Sequence, residues 1–489
     1  MVPFFAFNRS VKDRSLSQLI PTWAKQLAES NPQYLHYLHN LPRKQLQSLD
    51  ILTQLDLMVE GLAKIDDKMP LIFTIDALDE CPSKDACSLF SILRKLLSSS
   101  ELPHSVRFLF TFRPDKSITS PFSNLSPFHL SIDDIDGTST DIQIFVKDQL
   151  DGTDLEHMID DVAKVSQTLF QCAAVLCREL KVVKGPKLMS VRRDLLQKVK
   201  DAPGLTLYGT YLTILKMHFN EGNAELMQLF RRVMSWIFLV QSPQPREVLQ
   251  AFATVLLPAD KQSDVVEVLS WLGSLLSGTI PGDNAPISPL HTSLRDFLLD
   301  TTESHAFSID LGYHSQEIAW ACLKIMNRDL KFNICKLPTS YALNSQVEDL
   351  PQRVKEHISP GLRYACLATA QHLRSALPPS TMISQRHLGA AVLHKPSIKV
   401  LVGIMLVYIT SFPFLFLTAV MKFFHHDCGN LHSARSTTEK ALDIADELKF
   451  FLKNKFLYWL EAHSCMQTQQ DGPGTMLHLF LEWAKVSRM

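Results

Sequence analysis

The chain of 489 residues is short of several things, and each shortage excludes something. It has no excess of either charge: 49 lysines and arginines face 50 aspartates and glutamates, for a formal net charge of −1. Proteins that hold the phosphate backbone of nucleic acid carry a basic excess, so nucleic acid is not an expected partner. Glycine is scarce, at 17 residues, which argues against an all-β, turn-rich architecture. The nine cysteines are scattered, odd in number and form no Cys-x-x-Cys pair. Neither a disulfide framework nor a zinc finger follows, and a reducing compartment fits best. The N-terminus lacks the basic, apolar, small-residue order of a secretory signal, so the expected location is cytoplasmic. Internal repeats, heptad runs and low-complexity tracts are also missing.

What is present is enough apolar residue, 46%, for two to four domains with cores of their own. The first third reads as α/β. Phe4 to Phe7 suits a short buried strand, and Leu16, Leu19, Ile20, Trp23 and Leu27 recur at helical spacing behind a cap at Ser15. Pro21 inside that pattern predicts a kink or a shifted start. Leu71 to Asp76 is nearly continuous apolar, as strands buried on both faces are. A helix face at Ala86, Leu89, Phe90, Leu93 and Leu97 follows, then strands over Val106 to Phe112 and Phe128 to Ile132. Strand, helix and strand at that spacing make a βαβ unit in a parallel sheet. From about Asp141 the periodicity is helical almost throughout, with amphipathic helices predicted over 157–180, 208–220, 224–240 and 262–277. Breaks are expected near Pro338, Pro360 and Pro378.

The sharpest chemical signal is LIFTIDALDEC, Leu71 to Cys81. An apolar strand ending in Asp76, with Asp79 and Glu80 just past it, is the Walker B arrangement. A carboxylate at the carboxyl end of a parallel strand can hold the magnesium of a nucleoside triphosphate. A second carboxylate beyond it can orient or deprotonate an attacking water. The competing reading is a strand followed by an acidic helix-capping turn. The next strand ends Phe110-Thr111-Phe112-Arg113-Pro114, which adds a hydroxyl and a guanidinium at the same sheet edge. Such an arginine can sense a γ-phosphate by a charge-assisted contact, or simply stand exposed before a turn.

With these residues in place, the chain resembles the fungal NACHT proteins, members of the signal-transducing STAND class of P-loop NTPases and relatives of the NOD-like receptors. The resemblance covers most of the chain. FFAFNRSVKDRSLSQLIPTWAKQLA is similar to the second strand and helix of the family, IDALDEC to its Walker B, and LFTFRP to its sensor strand, with Phe112 where serine is usual. ISPLHTSLRDFLLD resembles the winged-helix motif, and CLKIMNRDLKFNIC, SPGLRYACLATAQHL and NKFLYWLEAHS resemble the helical segments that follow NACHT. The fold so implied is α/β, a partial P-loop NTPase parallel sheet, followed by a mainly α-helical winged-helix and helical region. Its parts would be a partial nucleotide-binding domain over 1–140, a helical part over 141–205, a winged-helix-like region over 206–310 and a helical region over 311–489.

The resemblance also implies roles. Asp76 would hold magnesium, Asp79 and Glu80 would position water, and Thr111 and Arg113 would face the nucleotide. His291 would contact the β-phosphate of ADP in a closed state; read without the family, it is a buried, hydrogen-bonded core residue. The family uses Mg-ATP and Mg-ADP, yet this chain contains no Gly-Lys dipeptide and so no phosphate-binding loop. The loop would lie upstream of Phe4, on a strand that sits between 106–112 and 128–132. The chain therefore reads as truncated ahead of that loop. No competent NTPase is expected of it, and the nucleotide and magnesium of the family need not be held at all.

A second anomaly is the uncharged run Val400 to Met421, bounded by Lys399 and Lys422. It is long enough to span a bilayer. Three readings compete: a transmembrane helix, a buried core helix, or translated intron within an insert over about 376–439. His425, His426, Asp427, Cys428 and His432 have metal-ligand types but match no standard zinc spacing. Cys172, Cys177 and Trp459 are expected to be core residues. Two functions follow: a STAND-type signalling protein of self/non-self recognition or innate immunity, oligomerising when ATP replaces ADP, or a non-enzymatic module that pairs with full-length relatives. A membrane-anchored variant using 400–421 is the third.

Overall fold

The computed structural model describes residues 2–8, 14–42, 45, 50–65, 70–98, 102–113, 130, 137–182, 188–201, 207–279, 285–339, 344–376 and 444–466. These divide into two compact units, Met1–Asp136 with Gln241–Pro243, and Gly137–Val240 with Gln244–Met489.

The first unit is built on three short parallel strands, β1 (Phe4–Ala6), β2 (Leu71–Asp76) and β3 (Val106–Phe110), in the order β1-β2-β3. The register pairs Phe5 with Ile75, and Thr74 with Leu109. Helices α1 (Leu19–Ser30), α2 (Pro32–His39) and α3 (Ile51–Leu62) connect β1 to β2, and α4 (Ser83–Leu97) connects β2 to β3. The strand order advances in one direction, so crossovers of one hand lay their helices on one face. Apolar contacts agree. Phe5, Phe73 and Ile75 are buried together with Trp23 of α1, Leu55 and Met58 of α3, and Leu89 and Leu93 of α4. Trp23 meets Phe73 edge-on at 5.0 Å, and Phe73 stacks on Phe108 at 5.6 Å. On the other face Phe4, Ile72 and Leu109 remain exposed.

Local chemistry sets the helix ends. Asn31 accepts from Tyr34 N at 2.9 Å with Pro32 in the first turn of α2, and Asp50 caps α3 through Thr53 N at 2.9 Å. Thr53 also holds the Asp50 carboxyl below the usual carboxylate range by donating hydrogen bonds to it. The first helix departs from the pattern in the sequence. Ser15 makes no side-chain cap, Leu16–Gln18 form a 3-10 turn, and α1 starts at Leu19. Pro21 thus falls in the first turn, where its missing N–H has no helical partner to lose, and no kink is needed.

The second unit is helical. Its first part comprises α5 (Thr138–Leu150), α6 (Ile159–Ser166), α7 (Phe170–Val182), α8 (Leu188–Asp201) and α9 (Leu207–His218). The single helix expected over 157–180 is two helices, broken where Gln167 takes φ 51°. Val165 and Cys172 keep helical spacing across the break, which is why periodicity passes over it. Next come α10 (Ala224–Leu239), α11 (Arg246–Leu256), α12 (Asp264–Trp271), α13 (Thr292–Leu299), α14 (Thr301–Ser304) and α15 (Leu311–Asp329). Isolated antiparallel bridges join Gln244 to Ile287 and Leu276 to Pro289 just before α13. The helix expected over 262–277 therefore stops at Trp271, and the chain turns back to make a bridge. The last elements are α16 (Leu350–His357), α17 (Pro360–Ser375), α18 (Ile444–Asn454) and α19 (Phe456–Cys465).

Helix α15 is the hub of this unit and packs against α10, α11, α17 and α18. Ten of its nineteen residues are buried, including the consecutive triplets Glu317-Ile318-Ala319 and Ala321-Cys322-Leu323, so most of its circumference is covered, and the stripe through Tyr313, Gln316, Trp320 and Lys324 reaches the surface. Glu317 is held inside by Arg232 at 2.7 Å and His314 at 2.9 Å. The break expected near Pro360 lies between α16, which ends at His357, and α17, which Pro360 opens, and Ser359 caps α17 through Leu362 N at 3.2 Å. Gly361 allows close approach to α11, because a Cβ there would lie 2.3 Å from Ala251 Cβ. Cys172, Cys177 and Trp459 are all core residues.

The strand expected over Phe128 to Ile132 lies outside the described residues except for Leu130. So do the 400–421 run and the cluster from His425 to His432. Among the described residues, no helix is long and apolar enough to cross a membrane, and no group of three His, Cys, Asp or Glu is placed to hold a metal ion.

Candidate functional site

The acidic and basic residues singled out in the first third converge at the carboxyl ends of β2 and β3. Asp76 is the last residue of β2, and its backbone carbonyl accepts from Phe7 N at 3.0 Å. Ala77 then takes φ 53° and ψ 53°, in the left-handed region that a residue with a Cβ enters at some cost. The chain turns there into the 3-10 segment Leu78–Glu80, which carries both further carboxylates.

Thr111, just past β3, holds this turn from three directions. Its hydroxyl donates to Asp76 Oδ1 at 2.5 Å and accepts from Ala77 N at 3.0 Å. Its carbonyl accepts from Leu78 N at 2.9 Å, and its own N–H donates to Ile75 O at 3.0 Å. Arg113 reaches the same turn. Its N–H donates to Asp79 Oδ1 at 3.2 Å, and its guanidinium Nε lies 3.5 Å from Asp79 Oδ2. Asp79 is the more enclosed partner, its side chain 14% exposed against 43% for Arg113. Glu80 closes the 3-10 turn, donating its N–H to Ala77 O at 2.9 Å. Phe112 turns inward and packs on the apolar cluster of this unit.

Five of the six residues marked in the sequence, Asp76, Asp79, Glu80, Thr111 and Arg113, thus lie at the adjacent carboxyl ends of β2 and β3. The chemistry available is that of a carboxylate oriented by a hydroxyl at a strand end, beside an acid paired with a guanidinium. Asp76 keeps one carboxylate oxygen clear of the bond to Thr111, which suits one contact to a hard, oxygen-seeking cation. Ligands of open parallel sheets sit where the direction of strand order reverses, and the three described strands contain no reversal.

His291 belongs to the second unit. It is the N-cap of α13, and its Nδ1 accepts from Ser293 N at 3.2 Å and lies 2.6 Å from Ser293 Oγ. Ser293 Oγ is in turn 2.8 Å from the hydroxyl of buried Tyr211 in α9. An Nδ1 that accepts from a backbone N–H carries no proton, so the neutral ring has its proton on Nε2. This cap and its link to Tyr211 have no local signature, because Tyr211 lies far away in sequence. Thr111 could be marked as a polar strand end, but its grip on the Ala77 turn could not. A cleft of the same unit, lined by Lys198, Tyr208, Lys216, Glu303 and His305, has its lysines already paired, with Asp194 and Glu221.

Residues 1–113 match the family model described as Nephrocystin 3, N-terminal. The match thus holds the sheet and the whole acidic turn, and stops at Arg113. No curated protein and no solved structure matches the chain.

Proposed function

We propose that the chain is a signalling protein of the NACHT and STAND type, whose first unit keeps the acid and sensor ends of a nucleotide-binding sheet. The observation that carries this reading is the pairing of adjacent strand ends, Asp76 bound to Thr111 and Asp79 bound to Arg113. The match of residues 1–113 to a family model supports it, as does the order of the two strands, side by side and parallel. Asp76 is the residue that would hold magnesium, which neutralises charge on a bound nucleotide. Thr111 fixes the carboxylate rotamer of Asp76 and pins the Ala77 turn. Asp79 and Glu80 are set to orient a water. Arg113 is released toward a γ-phosphate when it exchanges the Asp79 carboxylate for a phosphate oxygen. In the second unit His291, whose Nδ1 is engaged by the helix start, is the residue assigned to the β-phosphate of ADP. Fungal self/non-self recognition or innate immunity is the setting that the resemblance implies, in the cytoplasm and with protein partners.

The phosphate-cradling amides and lysine such a site requires have no counterpart in this sequence, which contains no Gly-Lys dipeptide. We therefore assign no hydrolysis to the chain as it stands. Calorimetry of the purified chain with ATP, ADP and magnesium tests this: no saturable heat is expected up to millimolar nucleotide. Saturable, magnesium-dependent binding that Asp76→Ala abolishes would restore the nucleotide switch, whereas binding that Asp76→Ala leaves intact would remove the role given to the acidic turn.

The exposure of Ile72 and Leu109 on one face of the sheet favours a second reading, an interaction module that pairs with full-length relatives. Light scattering of the chain alone and mixed with such a relative separates the two.

A further inference from the structure

The three described strands leave two lateral edges, and side chains cover them unequally. Parallel pairing uses the main chain of alternate residues. Pro3 O accepts from Thr74 N at 2.8 Å and Phe7 N donates to Asp76 O at 3.0 Å, so the odd-numbered residues of this stretch bond to β2. Phe4 and Ala6 therefore turn their N–H and C=O away from the sheet. At Phe4 both groups are taken. Its N–H donates to Gln26 Oε1 at 2.6 Å, and Gln26 Nε2 donates to Phe4 O at 3.0 Å. Gln26 lies in α1 one turn past Trp23, which packs edge-on against Phe73 at 5.0 Å, so the core fixes where the amide falls. At the other edge Arg107 Nη1 donates to Val106 O at 2.8 Å. A guanidinium has donors and no acceptor, so it can meet a strand carbonyl but not a strand N–H. A primary amide has both, and Gln26 uses both on one residue.

Two bonds exchanged with one residue is the pattern of a hydrogen-bonded pair in an antiparallel ladder, where facing residues trade N–H···O bonds in both directions. The Gln26 amide thus stands where the main chain of one residue of a neighbouring strand would stand. An exposed strand edge is a template for another chain, and proteins blunt it with charge, proline or a covering element. Charge and proline are not used here. The strand Phe4-Phe5-Ala6 carries no charge, and Pro3 has its carbonyl turned to β2. Phe4 is also 44% exposed, so its side chain adds apolar surface at this edge.

We propose that Gln26 is an edge guard, whose amide occupies Phe4 and keeps β1 from pairing with the β1 of a second copy of this chain. The second copy is the partner because the pairing is self-complementary. A two-fold axis between two antiparallel β1 strands sets the N–H of each Phe4 against the C=O of the other and places both Phe4 rings on one face. Those bonds form only after the amide of Gln26 has left. The guard is local to the first unit, and the proposal stands apart from the nucleotide reading.

The test compares the whole chain with Gln26→Ala by light scattering over a range of micromolar concentrations, with hydrogen exchange of the β1 peptide read on the same samples. The mass of Gln26→Ala is expected to climb toward about twice the wild-type value as the concentration rises, because a two-fold contact closes on itself. Its β1 amides should exchange faster than wild type when dilute, for want of the Gln26 acceptor, and slower once the mass has doubled. Gln26→Met keeps a long side chain and helix propensity without the amide, and should behave in the same way. Adding Ala6→Pro to Gln26→Ala removes an outward N–H that β2 does not use, and should return the mass to the wild-type value. A Gln26→Ala mass that follows the wild type at every concentration would overturn the proposal. So would a doubling without slower exchange in β1, or one that Gln26→Met does not reproduce. These outcomes are read without Ala6→Pro, so they decide the matter even where the proline disturbs the strand.

Discussion

The two units bury apolar surface in opposite ways. In the first, three strands advance in one direction, and Trp23, Leu55 and Leu89 cover one face while Ile72 and Leu109 stay exposed on the other. In the second, α15 is covered around most of its circumference by α10, α11, α17 and α18. Each unit encloses a tryptophan completely, but Trp459 donates its Nε1–H to Cys366 O at 3.0 Å, whereas Trp23 Nε1 has no hydrogen-bond partner among the described residues. The lesson is one of tolerance. A helix packed by four neighbours has little room to relax, while a sheet with an open face can take change on that face.

Substitution of Trp459 by Ala should test this most severely, at a cost of about 3–5 kcal/mol in urea unfolding. A cost near 1 kcal/mol would mean that the helical core collapses around the gap, and the contrast would weaken. The next effect depends on pH. His372 in α17 is almost wholly buried, shares a 2.7 Å hydrogen bond with Tyr364, and has its pKa driven down by burial from 6.5 to about 4. Above pH 6.5 the ring is neutral whether folded or not. Between about 6.5 and about 4 only the unfolded chain takes the proton, so stability falls as the pH falls, by about 3 kcal/mol across the window. Unfolding of His372→Gln at pH 7 and pH 4.5 should show that part of the acid loss gone; an unchanged slope would move the acid lability elsewhere.

Smaller effects belong to the sheet. Thr111→Val keeps shape and removes the hydroxyl that bridges Asp76 and Ala77, a change worth about 1 kcal/mol, or somewhat more if Ala77 N is left unpaired. Leu109→Lys, on the exposed face, should shift stability by less than about 0.5 kcal/mol. A loss of several kcal/mol at Leu109 would show that this face is covered and would break the comparison.

Where the chemistry is local, the elements can be read from residues alone. Leu71 to Asp76 is a strand with those bounds because its apolar run is continuous and ends in an acid. The charged turn after it is legible for the same reason, as residue types at a strand end. Trp459 and the two core cysteines of α7 follow from residue type, because a free cysteine is among the most buried of residues and a tryptophan packs. The breaks are harder. Gln167 interrupts a helix whose periodicity continues through it, and Ala77 takes a left-handed conformation that alanine does not advertise. Pro21 predicts a kink only for a helix that starts at Ser15, one turn earlier than α1 does.

By itself, then, the sequence determined the strands and most helices of this protein, and the acids, hydroxyl and guanidinium that end its strands. It could do so because hydrophobic period and turn chemistry act within a few residues. Tertiary structure alone decided that Thr111 would bridge Asp76 and Ala77, that His291 would cap α13 beside Tyr211, and that Asn333 would meet Glu461. These pairs join residues 34 or more positions apart, as Ala77 and Thr111 are. Contacts of that kind arise only when packing the core brings distant segments together, and no local pattern encodes them.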